Sequence, residues 1–159
     1  MVHLDGPSPA NDPAEKRFEI LLIEDNWSDT FFTKVAFSKC KFASNLNIVT
    51  DGEQALSFLN REEKHRSAPQ PDLILLDLNL PRMDGRTFLR RIKSVSQFEN
   101  LKVVVLSGSR LGTDVREVTD MKIDGYLVKP LDLNGFYQIA KDLENFLINS
   151  KPLPMCVKW

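Results

Sequence analysis

Five short apolar runs punctuate the chain: Phe18 to Ile23, Leu46 to Val49, Leu73 to Leu76, Val103 to Leu106 and Tyr126 to Val128. As a set they lack the strict apolar–polar alternation of half-exposed strands. They suit parallel strands covered on both faces. Helical spacing fills the gaps. Trp27, Phe31, Ala36 and Phe37 lie on one broad face of a helix predicted over about Ser28 to Lys39. Asp51 and Gln54, three apart and followed by Ala55, Leu56, Phe58 and Leu59, form a capping-box variant that opens a second helix. Pro81 and Asp84-Gly85 turn the chain into a third helix, about Arg86 to Ser94. A weaker pattern covers about Thr113 to Lys122. Leu133, Phe136, Ile139, Ala140, Leu143, Phe146 and Leu147 trace a final helical stripe.

Five strand-then-helix repeats with right-handed crossovers predict an α/β fold: a doubly wound five-stranded parallel sheet flanked by five helices. In such folds, sites form outside the carboxyl ends of the strands. Glu24, Asp25, Asp77, Ser107 and Lys129 each follow a predicted strand. They are therefore expected to converge at one edge of the sheet. Residues 18–149 make up the domain. The stretch 1–17, with Gly6, Pro7, Ser8, Pro9 and Pro13, reads as a flexible leader, and 150–159 as a tail. That tail carries Leu153, Met155, Cys156, Val157 and Trp159. Disorder is one expectation for it. Packing on its own domain or on a neighbouring subunit is the other.

Composition narrows the functional classes. At 159 residues the chain can bury a sufficient core without disulfides or metals. A net charge of −1 gives no reason to expect nucleic acid or an anionic membrane as partner. No apolar run approaches the roughly 20 residues of a membrane span, and the N-terminus lacks the pattern of a secretory signal. Cys40 and Cys156 have no metal or redox spacing. The chain reads as cytoplasmic.

Three carboxylates at one sheet edge repel one another, and a hard divalent cation such as Mg²⁺ relieves that repulsion. Glu24, Asp25 and Asp77 at −3, with Mg²⁺ and the Lys129 ammonium, sum to zero. Such a site suits phosphoryl transfer, in which metal and ammonium neutralise the phosphoryl oxygens. The Ser107 hydroxyl can donate a hydrogen bond to one of those oxygens.

Glu24-Asp25, Asp77 followed by Leu78-Asn79-Leu80-Pro81 and Asp84-Gly85, Ser107, and Lys129-Pro130 together resemble a response-regulator receiver domain over about residues 18–148. The resemblance implies a flavodoxin-like strand order of 2-1-3-4-5. It makes Asp77 the phosphoacceptor, Glu24 and Asp25 the acidic pair that organises Mg²⁺, and the Asn79 backbone carbonyl a further ligand. It pairs Lys129 with the phosphoryl group and places a cis peptide before Pro130. Ser107 and Tyr126 occupy the switch positions, the Tyr126 ring turning inward as Ser107 moves to the phosphoryl oxygens. A sensor histidine kinase is the implied donor. The polar loop Arg61 to Pro71, the Leu78-Asn79-Leu80-Pro81 run and the short tail resemble single-domain regulators paired with bacterial, especially cyanobacterial, phytochrome kinases. In that family homodimers often form through the last helix–strand–helix face, and the state of this chain stays open. The downstream target is unknown.

An output switch, a phosphorelay carrier and a phosphate sink share this chemistry. An aspartyl-phosphate phosphohydrolase fits less well, because Asn79 stands where such enzymes place a general-acid aspartate. No GxGxxG loop supports a dinucleotide binder. The protein is thus expected to be a self-phosphorylating acceptor and not a turnover enzyme. Trp27 reads as a structural ring near the acidic pair, Tyr126 alternatively as a half-buried sheet aromatic. His3, His65 and the charge run Arg61 to Arg66 read as solvated.

Overall fold

The computed structural model of the protein describes residues 16–108 and 112–154. Strands β1 (Phe18–Ile23), β2 (Ser44–Val49), β3 (Leu73–Leu76), β4 (Val103–Ser107) and β5 (Gly125–Val128) alternate with α1 (Trp27–Ser38), α2 (Gly52–Asn60), α3 (Gly85–Lys93), α4 (Gly112–Thr119) and α5 (Leu133–Asn149). All strand pairs are parallel, in the order β2-β1-β3-β4-β5. The doubly wound parallel sheet expected from the pattern is the one observed, in the flavodoxin-like order that the family resemblance implies.

The pleat sorts each strand between two cores, because successive side chains point to opposite faces. Leu21, Ile23, Ile74, Leu76, Val103, Val105 and Tyr126 pack in one cluster with residues of α2, α3 and α4. Ile20, Leu22, Leu73, Leu75, Val104, Leu106 and Leu127 pack in another with residues of α1 and α5. With both faces covered, the strands need no alternation. That is why their sequences are continuous apolar runs.

Helix starts agree with the sequence chemistry. Asp51 accepts a hydrogen bond from the Gln54 N–H at 2.8 Å, Asp84 from Thr87 at 2.8 Å and Asp132 from Gly135 at 2.9 Å. Each satisfies an orphan donor of the first turn. The helix expected over Thr113 to Lys122 is shorter, Gly112–Thr119, and ends before Lys122, whose φ of 59° is left-handed. The polar loop holds a short 3₁₀ turn, Glu63–His65. His65 is not simply solvated: its ring meets Phe58 edge-on at 5.4 Å and is half-buried. The rest of the run Arg61 to Arg66 is exposed.

Part of the tail packs on its own domain. Leu153 is buried in the α1/α5-side core, and a Cβ on Gly125 would lie 2.6 Å from its Cδ1. The absence of a side chain at the start of β5 is what admits Leu153. Most of the expected leader, with His3, and the tail residues Met155, Cys156, Val157 and Trp159 lie outside the described residues. Leu153→Ala is expected to cost about 2 kcal/mol. The check is urea unfolding, with the midpoint falling and the slope unchanged.

Candidate functional site

The strand order places a crevice between β1 and β3, where the chain first crosses to one side of β1 and then to the other. Glu24 and Asp25 leave β1 there, and Asp77 leaves β3. The Asp77 N–H donates to the Ile23 carbonyl at 3.0 Å and the Glu24 N–H to that of Val49 at 3.0 Å, so the sheet ladders run up to the site. On the other flank, the Lys129 N–H donates to the Ser107 carbonyl at 2.8 Å. The expected convergence is therefore real, and it is made by backbone pairing.

Carboxylate oxygens of Glu24, Asp25 and Asp77 lie within 4.8 Å of one another. Glu24 and Asp77 are buried and Asp25 is exposed. An all-oxygen donor set of this spacing, open on the Asp25 side, fits a hard divalent cation. Asn79 is exposed, and its N–H donates to Asp77 Oδ1 at 3.2 Å. Gly85 closes in behind the loop that follows Asp77. Its N–H donates to the Leu78 carbonyl at 3.0 Å, and a Cβ there would come within 2.4 Å of the Asp77 carbonyl oxygen. Only glycine fits that approach.

Lys129 Nζ reaches across the crevice to Glu24 Oε2 at 2.7 Å, Asp29 Oδ2 at 2.8 Å and Asp77 Oδ2 at 3.1 Å. Asp29, in the first turn of α1, was not expected at the site. A single acid three residues after Asn26 looks like an ordinary helix-start residue, so its pattern carries no signal of this role. With Asp29 counted, the local carboxylates number four and not three.

The electrostatics follow from burial and this crowding. Burial pushes the Glu24 carboxyl up from 4.5 to about 7, the Lys129 hydrogen bond works against that rise, and the Asp77 charge adds to it. Burial disfavours the Lys129 ammonium, but hydrogen bonds to Asp29 and Glu24 and the Asp77 charge outweigh it, holding its pKa above the usual lysine value. Lys129 is thus held as the ammonium, and the Glu24 carboxyl takes up a proton more readily than an ordinary glutamate. Elsewhere, burial pushes the Cys40 thiol up to about 11, so it is a poor nucleophile at neutral pH.

Ser107 is fully buried, and Tyr126 is 2% exposed within the core facing α2, α3 and α4. Tyr126 is therefore not a half-buried sheet aromatic, and its ring stands inward in this conformation. Among the described residues no peptide bond is cis, so the bond before Pro130 is trans, contrary to expectation. Trp27 is also corrected. It is 77% exposed and stacks on Phe31 at 5.5 Å, so it is a surface ring beside the site and not a structural one.

Fold and site together define a signalling receiver of the two-component type. The family model for the response regulator receiver domain matches residues 20–141, and the chain belongs to that family. It is 33% identical to Response regulator Rcp1 of Synechocystis sp. over 135 residues, 85% of this chain and 92% of that protein. Similar identity, 33% over 144 residues, relates it to a probable methanogenesis regulatory protein, FilR2, of Methanothrix harundinacea, covering 89% of this chain and 92% of that one. Among solved structures, the phosphorylated cyanobacterial phytochrome response regulator RcpA superposes with a TM-score of 0.80 at 36% identity, covering 87% of this chain and 99% of that one. The Mn²⁺-bound form of Rcp1 gives 0.77 at 33% identity, covering 86% and 99%. Among the described residues no helix is long and apolar enough to cross a membrane.

The shifted Glu24 pKa has a sign that can be tested. Between about pH 4.5 and 7 the folded protein holds a proton on Glu24 that the unfolded chain releases. Stability from this group is therefore present at low pH and lost as pH rises through 7. In chelator, acidification from pH 8 to 6 is expected to raise the thermal midpoint of the parent more than that of Glu24→Gln. Calorimetry of the two proteins side by side makes the comparison.

Proposed function

We propose that Asp77 accepts a phosphoryl group from a sensor histidine kinase in an Mg²⁺-dependent reaction, and that the modified domain presents a changed protein-interaction surface. The observation that carries this reading is the buried Asp77 carboxylate, grouped with those of Glu24 and Asp25 and 3.1 Å from the Lys129 ammonium. Glu24, Asp25, Asp77 and the Asn79 backbone carbonyl would hold the Mg²⁺. When bound, the ion supplies charge neutralisation for the transferring phosphoryl oxygens.

Attack comes from a carboxylate oxygen of Asp77 and needs no general base. A new P–O bond forms at its carboxylate as the P–N bond to the kinase histidine breaks. The bonding electron pair leaves on the imidazole nitrogen, which takes up a proton. Lys129 sets its ammonium beside the charge gathering on the phosphoryl oxygens. Ser107 turns its hydroxyl to one of those oxygens. The modification adds about one negative charge beside a packed core, which biases the protein between two packings.

Ser107 and Tyr126 are one residue to either side of a paired position: Val105 faces Tyr126 and Ser107 faces Val128 across β4 and β5. Movement of the serine is thus felt directly by the strand that carries the ring. The names of RcpA and of related bacteriophytochrome response regulators support a phytochrome-type kinase as the donor. We read the protein as a cytoplasmic signalling acceptor, not a turnover enzyme.

Intact mass after incubation with Mg²⁺ and a phosphorylated phytochrome kinase tests this, with Asp77→Asn alongside. One metal-dependent phosphoryl group on the parent and none on the variant is expected. An unmodified parent would leave a partner-binding domain without phosphotransfer. With Gly85→Ala the same assay is expected to show slowed labelling, by about tenfold or more, because the added methyl displaces the acceptor loop.

A further inference from the structure

Asp29 supplies one of the three carboxylates that hold the Lys129 ammonium, at 2.8 Å, and the receiver chemistry argued above assigns it nothing. We propose that Asp29 is a positioning residue that keeps the Lys129 ammonium beside Asp77 for phosphoryl transfer, an inference that rests on Asp77 being the acceptor.

An ammonium carries three N–H donors, and Lys129 has three carboxylate acceptors for them: Glu24, Asp29 and Asp77. Two of those acceptors have a second duty. Glu24 and Asp77 also belong to the cation cluster with Asp25. Glu24 is further engaged through Oε1, which accepts the Asn26 N–H at 3.0 Å. Asp29 stands outside that cluster. It is the lysine partner that stays available when Glu24 and Asp77 turn their oxygens to a cation or a phosphoryl group. A lysine stem is flexible and its ammonium acts as a point charge, so the anchor decides where that charge sits.

The ordinary duty of an acid at this helical position is absent. A carboxylate at the third position of a helix commonly reaches back to the N-cap N–H. Here the N-cap is Asn26, and its N–H is taken by Glu24 instead. The Asp29 carboxylate is thereby free to turn to Lys129. Its backbone is fixed on both sides. The Asp29 N–H donates to Asn26 Oδ1 at 3.0 Å, and the buried Thr33 hydroxyl donates to the Asp29 carbonyl at 2.7 Å. An anchor on a rigid helical turn holds its partner more closely than one on a loop.

Substitutions separate position from charge. Asp29→Asn keeps an acceptor oxygen in place and removes the charge, Asp29→Ala removes both, and Asp29→Glu keeps the charge but displaces it. Full-length parent and variants are phosphorylated by acetyl phosphate at saturating Mg²⁺, followed by intact mass, with Asp77→Asn as control. The maximal labelling rate is expected to fall about tenfold in Asp29→Ala and less than about threefold in Asp29→Asn, with donor half-saturation nearly unchanged. Asp29→Glu is expected to be slower than Asp29→Asn. Mg²⁺ affinity, read by calorimetric titration, is expected to be equal in Asp29→Ala and Asp29→Asn, since both lose the same charge.

Asp29→Ala labelling at the parent rate would overturn the anchor, as would Asp29→Asn labelling no faster than Asp29→Ala. Should Asp29→Ala not fold, the order of Asp29→Asn and Asp29→Glu decides the matter: a Glu variant as fast as the parent with a slow Asn variant makes the charge the cause. A parent that takes no phosphoryl group, or an Asp77→Asn control that does, brings down the acceptor reading itself. Failure of the anchor alone leaves that control result intact.

Discussion

One ammonium held among three carboxylates organises this protein's reactive edge. Glu24 and Asp77 are buried close together, an arrangement that like-charge repulsion and burial both oppose. Lys129 offsets part of that opposition by bonding to each of them and to Asp29. The compensation is incomplete, and burial together with the Asp77 charge still raises the Glu24 pKa. A site of this kind has unspent affinity for a divalent cation, and its charge balance changes sharply when a phosphoryl group arrives.

The fold exists to bring these groups to one point from distant stretches of chain. Glu24 and Lys129 are joined through β1, β3, β4 and β5, each paired in parallel register with the next. Two apolar cores clamp the sheet from opposite faces, so the strand ends cannot shift independently. Close backbone approaches finish the placement. Gly85 lets α3 begin against the Asp77 carbonyl, and Gly125 lets Leu153 fold under the start of β5. Ser107 and Tyr126 are set by the same packing on the adjacent strands β4 and β5, with the Tyr126 ring in the core shared with α2, α3 and α4.

The surface beside the site differs in character from the site itself. Trp27 and Phe31 stack on α1 with much of their area in water, and Leu131 is fully exposed just past Lys129-Pro130. Aromatic side chains of this kind are enriched where one protein surface meets another. Membership of the receiver family agrees with that arrangement.

The continuous apolar runs and their polar endings were enough to determine the sheet, its parallel sense and the convergence of Glu24, Asp25, Asp77, Ser107 and Lys129. Those features depend on local periodicity and on chain topology, both of which are written in residue order. The helix starts at Asp51 and Asp84 were legible for the same reason, since a cap acts within three residues. Other features depended on contacts between remote segments. Asp29 reads as a helix-start acid until α1 and the end of β5 meet, and only then is it a partner of Lys129. His65 reads as solvated until its loop folds back on Phe58, and Leu153 as a loose tail until Gly125 leaves room for it. Trp27 erred the other way, because helical periodicity locates an apolar stripe but not its edge, and Trp27 falls past the limit of what α5 and the sheet cover. Sequence order specified that Glu24, Asp25, Asp77, Ser107 and Lys129 reach the site; tertiary packing added Asp29 and decided how many charges share one ammonium, because that number is set by distances across the crevice.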